Sequence, residues 1–192
     1  MKRACEDLLR SYLKTFPCVA VIGVRQCGKT TLLKSLPRGW KHFDLERRAD
    51  HDIVSRDPDA FFRLNPRRVA LDEAQLAPEA FPALRVAIDE HRAERGRFVI
   101  TGSSSPQMLR SVSESLAGRV GIVELAPFSW EEVTRTCGRD SLLRRLQNRR
   151  AKPSSLIAGL KPRGNVRRAH EFWLRGGFPE PWLNPGDEFR SH

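Results

Sequence analysis

The sequence predicts an α/β fold in which a five-stranded, mostly parallel sheet is flanked by helices and followed by a short basic helical C-terminal extension. Three observations predict it. Short β-branched runs alternate with amphipathic stretches over residues 1–136, as in a sheet covered by helices on both faces. A glycine-rich loop joins the first of those runs to a helix start. The charge is uneven, with 22 Lys+Arg against 18 Asp+Glu in residues 1–136, a net +4, and 12 against 5 in residues 137–192, a net +7.

The strands are expected at Cys18–Val24, Lys41–Leu45, Arg68–Leu71, Arg97–Thr101 and Val120–Leu125, each short and apolar enough to be buried on both sides. Helices are expected from Thr30, once or twice within Ala49–Leu64, over Glu79–Arg95 and over Pro106–Leu116. The third is the clearest: Phe81, Leu84 and Ile88 recur at helical spacing, Arg85, Asp89, Glu90 and Arg92 take the other face, and Pro78 stands at its start. Ser129-Trp130-Glu131-Glu132 fits a capping box that opens a further helix.

Beyond Gly138 the pattern weakens. Residues 139–168 hold ten basic side chains and one acid, Asp140. Lys152-Pro153-Ser154-Ser155 and Lys161-Pro162-Arg163-Gly164 interrupt Leu142–Arg149 and Leu156–Leu160, which reads as a helix and a loose connector. Three regions are therefore expected: an α/β domain over 1–136, a basic connector over 137–170, and the start of a truncated C-terminal domain over 171–192.

At 192 residues, 40% hydrophobic and 30% charged, the chain has room for one full domain with a real core. No apolar run reaches the roughly 20 residues of a membrane span, and the N-terminus turns acidic at Glu6-Asp7, so a cytosolic protein without membrane partners is expected. Cys5, Cys18, Cys27 and Cys137 form no C-x-x-C pair and have no histidines at zinc spacing, which excludes a zinc framework and reads as reduced thiols.

Gly23-Val24-Arg25-Gln26-Cys27-Gly28-Lys29-Thr30 matches the phosphate-loop pattern G-x-x-x-x-G-K-[ST] and lies between a strand and a helix, as that loop requires. Its glycines let backbone N–H groups face phosphate oxygens, Lys29 reaches the β- and γ-phosphates, and the Thr30 hydroxyl ligates Mg²⁺. Thr31 completes the set. The alternative is a plain glycine-containing strand–helix turn. Arg68-Val69-Ala70-Leu71-Asp72-Glu73 supplies the partner, an apolar strand ending in two carboxylates. Asp72 is the metal-side acid and Glu73 the base that orients water, against the alternative of a solvated acidic pair. Phe98–Ser104 ends in small polar residues where ligands of such sheets sit; Ser103 is the candidate for the γ-phosphate or the attacking water, with Ser104 or Ser105 as a helix cap instead. None of the seven lysines stands in an Asn/Thr-Lys-x-Asp element, so ATP is favoured over GTP.

Taken with Phe16-Pro17, Leu71-Asp72-Glu73-Ala74-Gln75, Phe81-Pro82-x-Leu84, Thr101-Gly102-Ser103-Ser104, Ser115-Leu116-Ala117-Gly118-Arg119 and Gly176-Gly177-Phe178-Pro179-Glu180, the loop resembles that of prokaryotic AAA-type P-loop ATPases with a second, uncharacterised C-terminal domain. The resemblance implies the AAA strand order, Mg-ATP binding, hydrolysis, and subunits that meet in a homo-oligomer. It also implies that Arg119 contacts phosphate within its own chain or reaches a neighbouring subunit as an arginine finger; the residues alone equally allow pairing with a surface carboxylate. The chain departs from the resemblance at Val24 and Cys27, where relatives often show proline and valine, and in length, since relatives run to about twice its size. An exposed Cys27 would make the site sensitive to thiol reagents.

The basic block, Arg144, Arg145, Arg149, Arg150, Lys152, Arg163, Arg167 and Arg168, is suited to nonspecific nucleic acid, but few aromatics interleave with it. A linker or docking surface for the absent domain is the favoured reading. Three functions follow: a Mg-dependent ATPase driving an attached domain, a nucleotide-binding switch with negligible turnover, and a nucleic-acid module with ATP secondary. A small-molecule kinase is disfavoured, because adjacent Asp72 and Glu73 suit activation of water.

Overall fold

The computed structural model describes residues 3–136 and 165–184, and between them residues 145, 146, 152, 154, 156, 158 and 159. The chain divides into two compact units, one of residues 5–127 and one of residues 1–4 with 128–192. The boundary falls upstream of the expected limit at residue 136.

The larger unit is built on β1 (Cys18–Ile22), β2 (Lys41–Asp44), β3 (Val69–Asp72), β4 (Phe98–Gly102) and β5 (Val120–Glu124), ordered β2-β3-β4-β1-β5. All four pairings are parallel. Every residue of β1, β3 and β4 is buried. In β1 the alternation of side chains divides them between two cores: Cys18, Ala20 and Ile22 join Phe62, Leu84 and Ile100 on one face, while Val19 and Val21 join Leu9, Leu32 and Val99 on the other. The expectation that every strand is buried on both sides fails at the two edges. Lys41 and His42 of β2 are exposed, and β5 alternates, with Ile122 and Glu124 outward. An edge strand has one neighbour and less cover, so both faces need not be apolar.

Helices cover both faces: α1 (Glu6–Thr15), α2 (Lys29–Lys34), α3 (Arg48–Ser55), α4 (Pro58–Leu64), α5 (Ala80–Glu90) and α6 (Pro106–Ser115), with a 3-10 turn over Ala74–Leu76. Starts follow local chemistry. The Asp57 carboxylate accepts from the Ala60 N–H at 2.9 Å with Pro58 in the first turn of α4, and Ser105 caps α6 in the same way ahead of Pro106. Helix α1 was not expected from the sequence; only Leu9 of its ten residues is buried. One core is tied by a run of edge-to-face rings, Phe43–Phe61, Phe61–Phe62 and Phe62–Phe98, with centroids 4.9, 5.0 and 5.5 Å apart.

The amino-terminal edge of the sheet is closed by arginines. Arg97, 2% exposed, donates to the carbonyls of Pro66 at 2.9 Å and Ala87 at 2.6 Å and lies over the Phe98 ring. Burial lowers its pKa, opposed by Glu94. Arg119, just before β5, forks onto Asp89 of α5 at 2.8 and 2.7 Å. That bond holds the Asp89 carboxyl below its ordinary range and raises the guanidinium.

In the smaller unit, α7 (Trp130–Val133) carries the expected capping box on Ser129. Glu132 accepts from Arg3 Nε at 2.9 Å, Ala4 N–H at 2.7 Å and Ser129 N–H at 2.8 Å. Burial alone would raise its pKa, but these donors hold it below the usual carboxylate range. Helices α8 (Val166–Arg175) and α9 (Glu180–Leu183) follow, and α8 crosses the expected limit between residues 170 and 171. The Gly-Gly-Phe-Pro-Glu segment fastens this unit: Phe128 N–H donates to Gly177 O at 2.6 Å and Trp182 Nε1 to Gly176 O at 2.8 Å.

Candidate nucleotide site

The loop after β1 opens α2 at the carboxyl edge of the sheet. A Cβ at Gly23 would stand 2.2 Å from the Leu125 carbonyl oxygen, so close backbone approach requires glycine there. Gly28 adopts φ 100° as it turns the chain into α2, where an L side chain is strained. Gln26, at φ 63°, is also left-handed. Arg25 and Gln26 are exposed, as are Thr30 and Thr31. Cys27 is fully buried, with its sulfur beneath Gly23, so the condition for sensitivity to thiol reagents is not met.

Lys29 is 4% exposed and its ammonium is turned inward. It donates to the carbonyls of Gly23 and Val24, both at 3.2 Å, and stands 3.5 Å from Glu73 Oε1. Parallel pairing at the register Leu71↔Ile100 sets the end of β3 beside that of β4. There Thr101 donates from its hydroxyl to Asp72 Oδ1 and accepts from the Glu73 N–H at 3.1 Å. One hydroxyl therefore fixes both members of the acidic pair. Glu73 sits at φ 54° and ψ 49°, a left-handed residue that turns its carboxylate out of the strand direction toward Lys29.

Thr30 and Asp72 line a cavity of about 160 Å³ with Asp44, Asp50, His42 and Arg47. A hydroxyl and a buried carboxylate fit Mg²⁺, which is held by few protein oxygens and completes its shell with water and substrate phosphates.

The structure thus brings together Gly23, Gly28, Lys29, Thr30, Asp72 and Glu73. Ser103 follows β4 at the same edge and is half-buried, while Ser105 takes the helix cap. Arg119 lies elsewhere, at the opposite edge, because it precedes β5 while the loop follows β1. The structure therefore does not bring it to the phosphate loop of its own chain, and its partner is the surface carboxylate Asp89. Thr101 was missed; the signal available was a hydroxyl ending an apolar parallel strand. Of the basic block, Arg144, Arg149, Arg150 and Arg163 lie outside the described residues. Arg145 donates to the carbonyls of Leu156 at 3.2 Å and Ala158 at 2.6 Å, and Arg167 and Arg168 are exposed on α8.

A parallel sheet in this order, with a G-x-x-x-x-G-K-T loop after the interior strand β1 and an acidic pair at the end of β3, two strands away, defines a P-loop nucleoside triphosphatase fold. Residues 15–134 match the AAA domain family, and the chain belongs to it. Uncharacterized proteins of Mycobacterium bovis and Mycobacterium tuberculosis are each 39% identical over 134 residues, 69% of this chain but 30% of their own length. Among solved structures the chain is similar to a Walker-type ATPase of Pyrococcus abyssi, with 16% identity and a TM-score of 0.54 over 93% of this chain and 64% of that one. It is also similar to a signal transduction ATPase with numerous domains and a tetratricopeptide repeat sensor from Pyrococcus horikoshii, with 13% identity and a TM-score of 0.52 over 95% of this chain and 29% of that one. At such identities these two likenesses concern the fold. Among the described residues no helix is long and apolar enough to cross a membrane.

Proposed function

We propose that this chain binds Mg-ATP at the Gly23–Thr30 loop and hydrolyses it, and that in a longer protein the cycle moves an attached C-terminal domain. The observation that carries the reading is the meeting of Lys29, Asp72, Thr101 and Glu73 at the carboxyl ends of β1, β3 and β4. Thr30 and Asp72 would hold Mg²⁺, which neutralises charge developing on the β- and γ-phosphates. Lys29 leaves Glu73 and the loop carbonyls for the incoming phosphates. The freed carboxylate then accepts a proton from the attacking water, a role that contributes about 10²–10⁴-fold. Thr101 keeps Asp72 and the Glu73 backbone in register, and Ser103 is the nearby hydroxyl for the γ-phosphate side.

Phosphate release with Mg-ATP, together with fluorescent-ATP titration, tests this. Wild type should turn over slowly, Glu73→Gln should bind ATP with turnover reduced at least a hundredfold, and Lys29→Ala should lose binding. A wild type that binds ATP yet is as inert as Glu73→Gln would make the chain a nucleotide-binding switch. Absence of binding would overturn the reading.

A further inference from the structure

Besides Lys29 and Thr101, a further side chain reaches the acidic pair of Asp72 and Glu73. Gln75, in the 3-10 turn after Glu73, donates from its amide Nε2 to Glu73 Oε2 at 2.5 Å. A carboxylate only accepts, so the NH₂ must face Glu73 and the amide oxygen must point away. That oxygen is buried and has no hydrogen-bond partner. It rests against Gly102 at the end of β4, where a Cβ would come within 2.6 Å of it. A buried acceptor left unpaired is unfavourable, and the arrangement persists here because the other half of the amide holds a carboxylate.

We infer that Gln75 is a positioning residue that holds the Glu73 carboxylate by Oε2, with Gly102 leaving the space its amide needs. In the structure both carboxylate oxygens are engaged, Oε1 facing Lys29 and Oε2 accepting from Gln75. When phosphate draws Lys29 away, Oε1 alone is released, and Gln75 keeps the other oxygen fixed so that the released one meets water. Without the amide, a glutamate on a left-handed backbone is free to rotate about its side-chain torsions. The inference rests on the general-base reading of Glu73 given above.

The test combines a kinetic cycle with a structural measurement. Gln75→Ala should lower kcat about tenfold to a hundredfold while the fluorescent-ATP Kd stays within twofold, and Gln75→Ala placed on Glu73→Gln should add no further loss. Gly102→Ala, which pushes on the amide, should reproduce the kcat loss in milder form. Equal losses from Gln75→Ala in the wild-type and Glu73→Gln backgrounds, or a loss confined to Kd, would overturn the inference while leaving Glu73 as base. Wild-type turnover in Glu73→Gln would overturn both. Should the wild type be inert, crystal structures of Lys29→Ala with and without Gln75→Ala decide: the Glu73 carboxylate should keep its place in the single variant and leave it in the double, and a carboxylate unmoved in the double would overturn the inference.

Discussion

The two edges of the same sheet use polar groups in opposite ways. At the amino edge, polar side chains are spent on stability: Arg97 closes on two carbonyls and a ring, Arg119 on Asp89, and Arg67 on Glu94 at 2.7 Å. At the carboxyl edge, Lys29 faces Glu73 Oε1 at 3.5 Å and Gln75 holds Oε2, with left-handed backbone at Gln26 and Glu73. Parallel strands put all their carboxyl ends, and the loops that follow, on one side. Stability and chemistry are thereby separated along the strand axis within about 15 Å.

The sharpest way to break this contrast is to swap the expected consequences. Lys29→Ala at the carboxyl edge should weaken ATP about a thousandfold, roughly 4 kcal/mol, with thermal stability nearly unchanged; isothermal titration and a melting curve on the same sample check both. Arg97→Ala at the amino edge should do the reverse. It leaves the carbonyls of Pro66 and Ala87 unpaired and should cost about 3 kcal/mol in urea unfolding, with ATP affinity per folded molecule unchanged. Arg119→Ala should leave phosphate release within twofold in dilute solution; a loss beyond tenfold would place Arg119 in the chemistry of a neighbouring molecule.

Acid sharpens the comparison with the smaller unit. The folded pKa of Glu132 is depressed, so its contribution is fully present above its unfolded value of about 4.3 and is lost as pH falls through the folded one. Tryptophan fluorescence should report loosening around Trp130 and Trp182 below about pH 4.3, and Glu132→Gln should flatten that transition. The smallest effect concerns thiols: Cys5 should react with a disulfide reagent in the native state, and buried Cys18 and Cys27 only on unfolding. Burial also pushes the Cys18 thiol far above its ordinary pKa, which removes the thiolate the reaction needs.

Much of this contrast was legible in the sequence, and unevenly so. Strands β1, β3 and β4 read well because a doubly buried parallel strand is an unbroken apolar run, and the ends of all five strands shifted by two residues or fewer. The loop and the acidic pair read well because they need fixed residue types at fixed spacing. Helix α1 was hidden by its polarity, with Glu6, Asp7, Arg10 and Lys14 around one buried leucine. Thr101 passed as an ordinary strand residue, and its meaning arises only when pairing sets it beside Asp72. The bond from Arg119 to Asp89 joins residues 30 positions apart, and nothing local announces it.

The pairing of Lys29 with Glu73 has an electrostatic consequence. The carboxylate stands 3.5 Å from a buried ammonium that would otherwise be a bare charge, and neutralises it from within the chain. Any anion that enters must outcompete an internal rival already in place. The lysine of the loop thus carries its counter-ion within the fold.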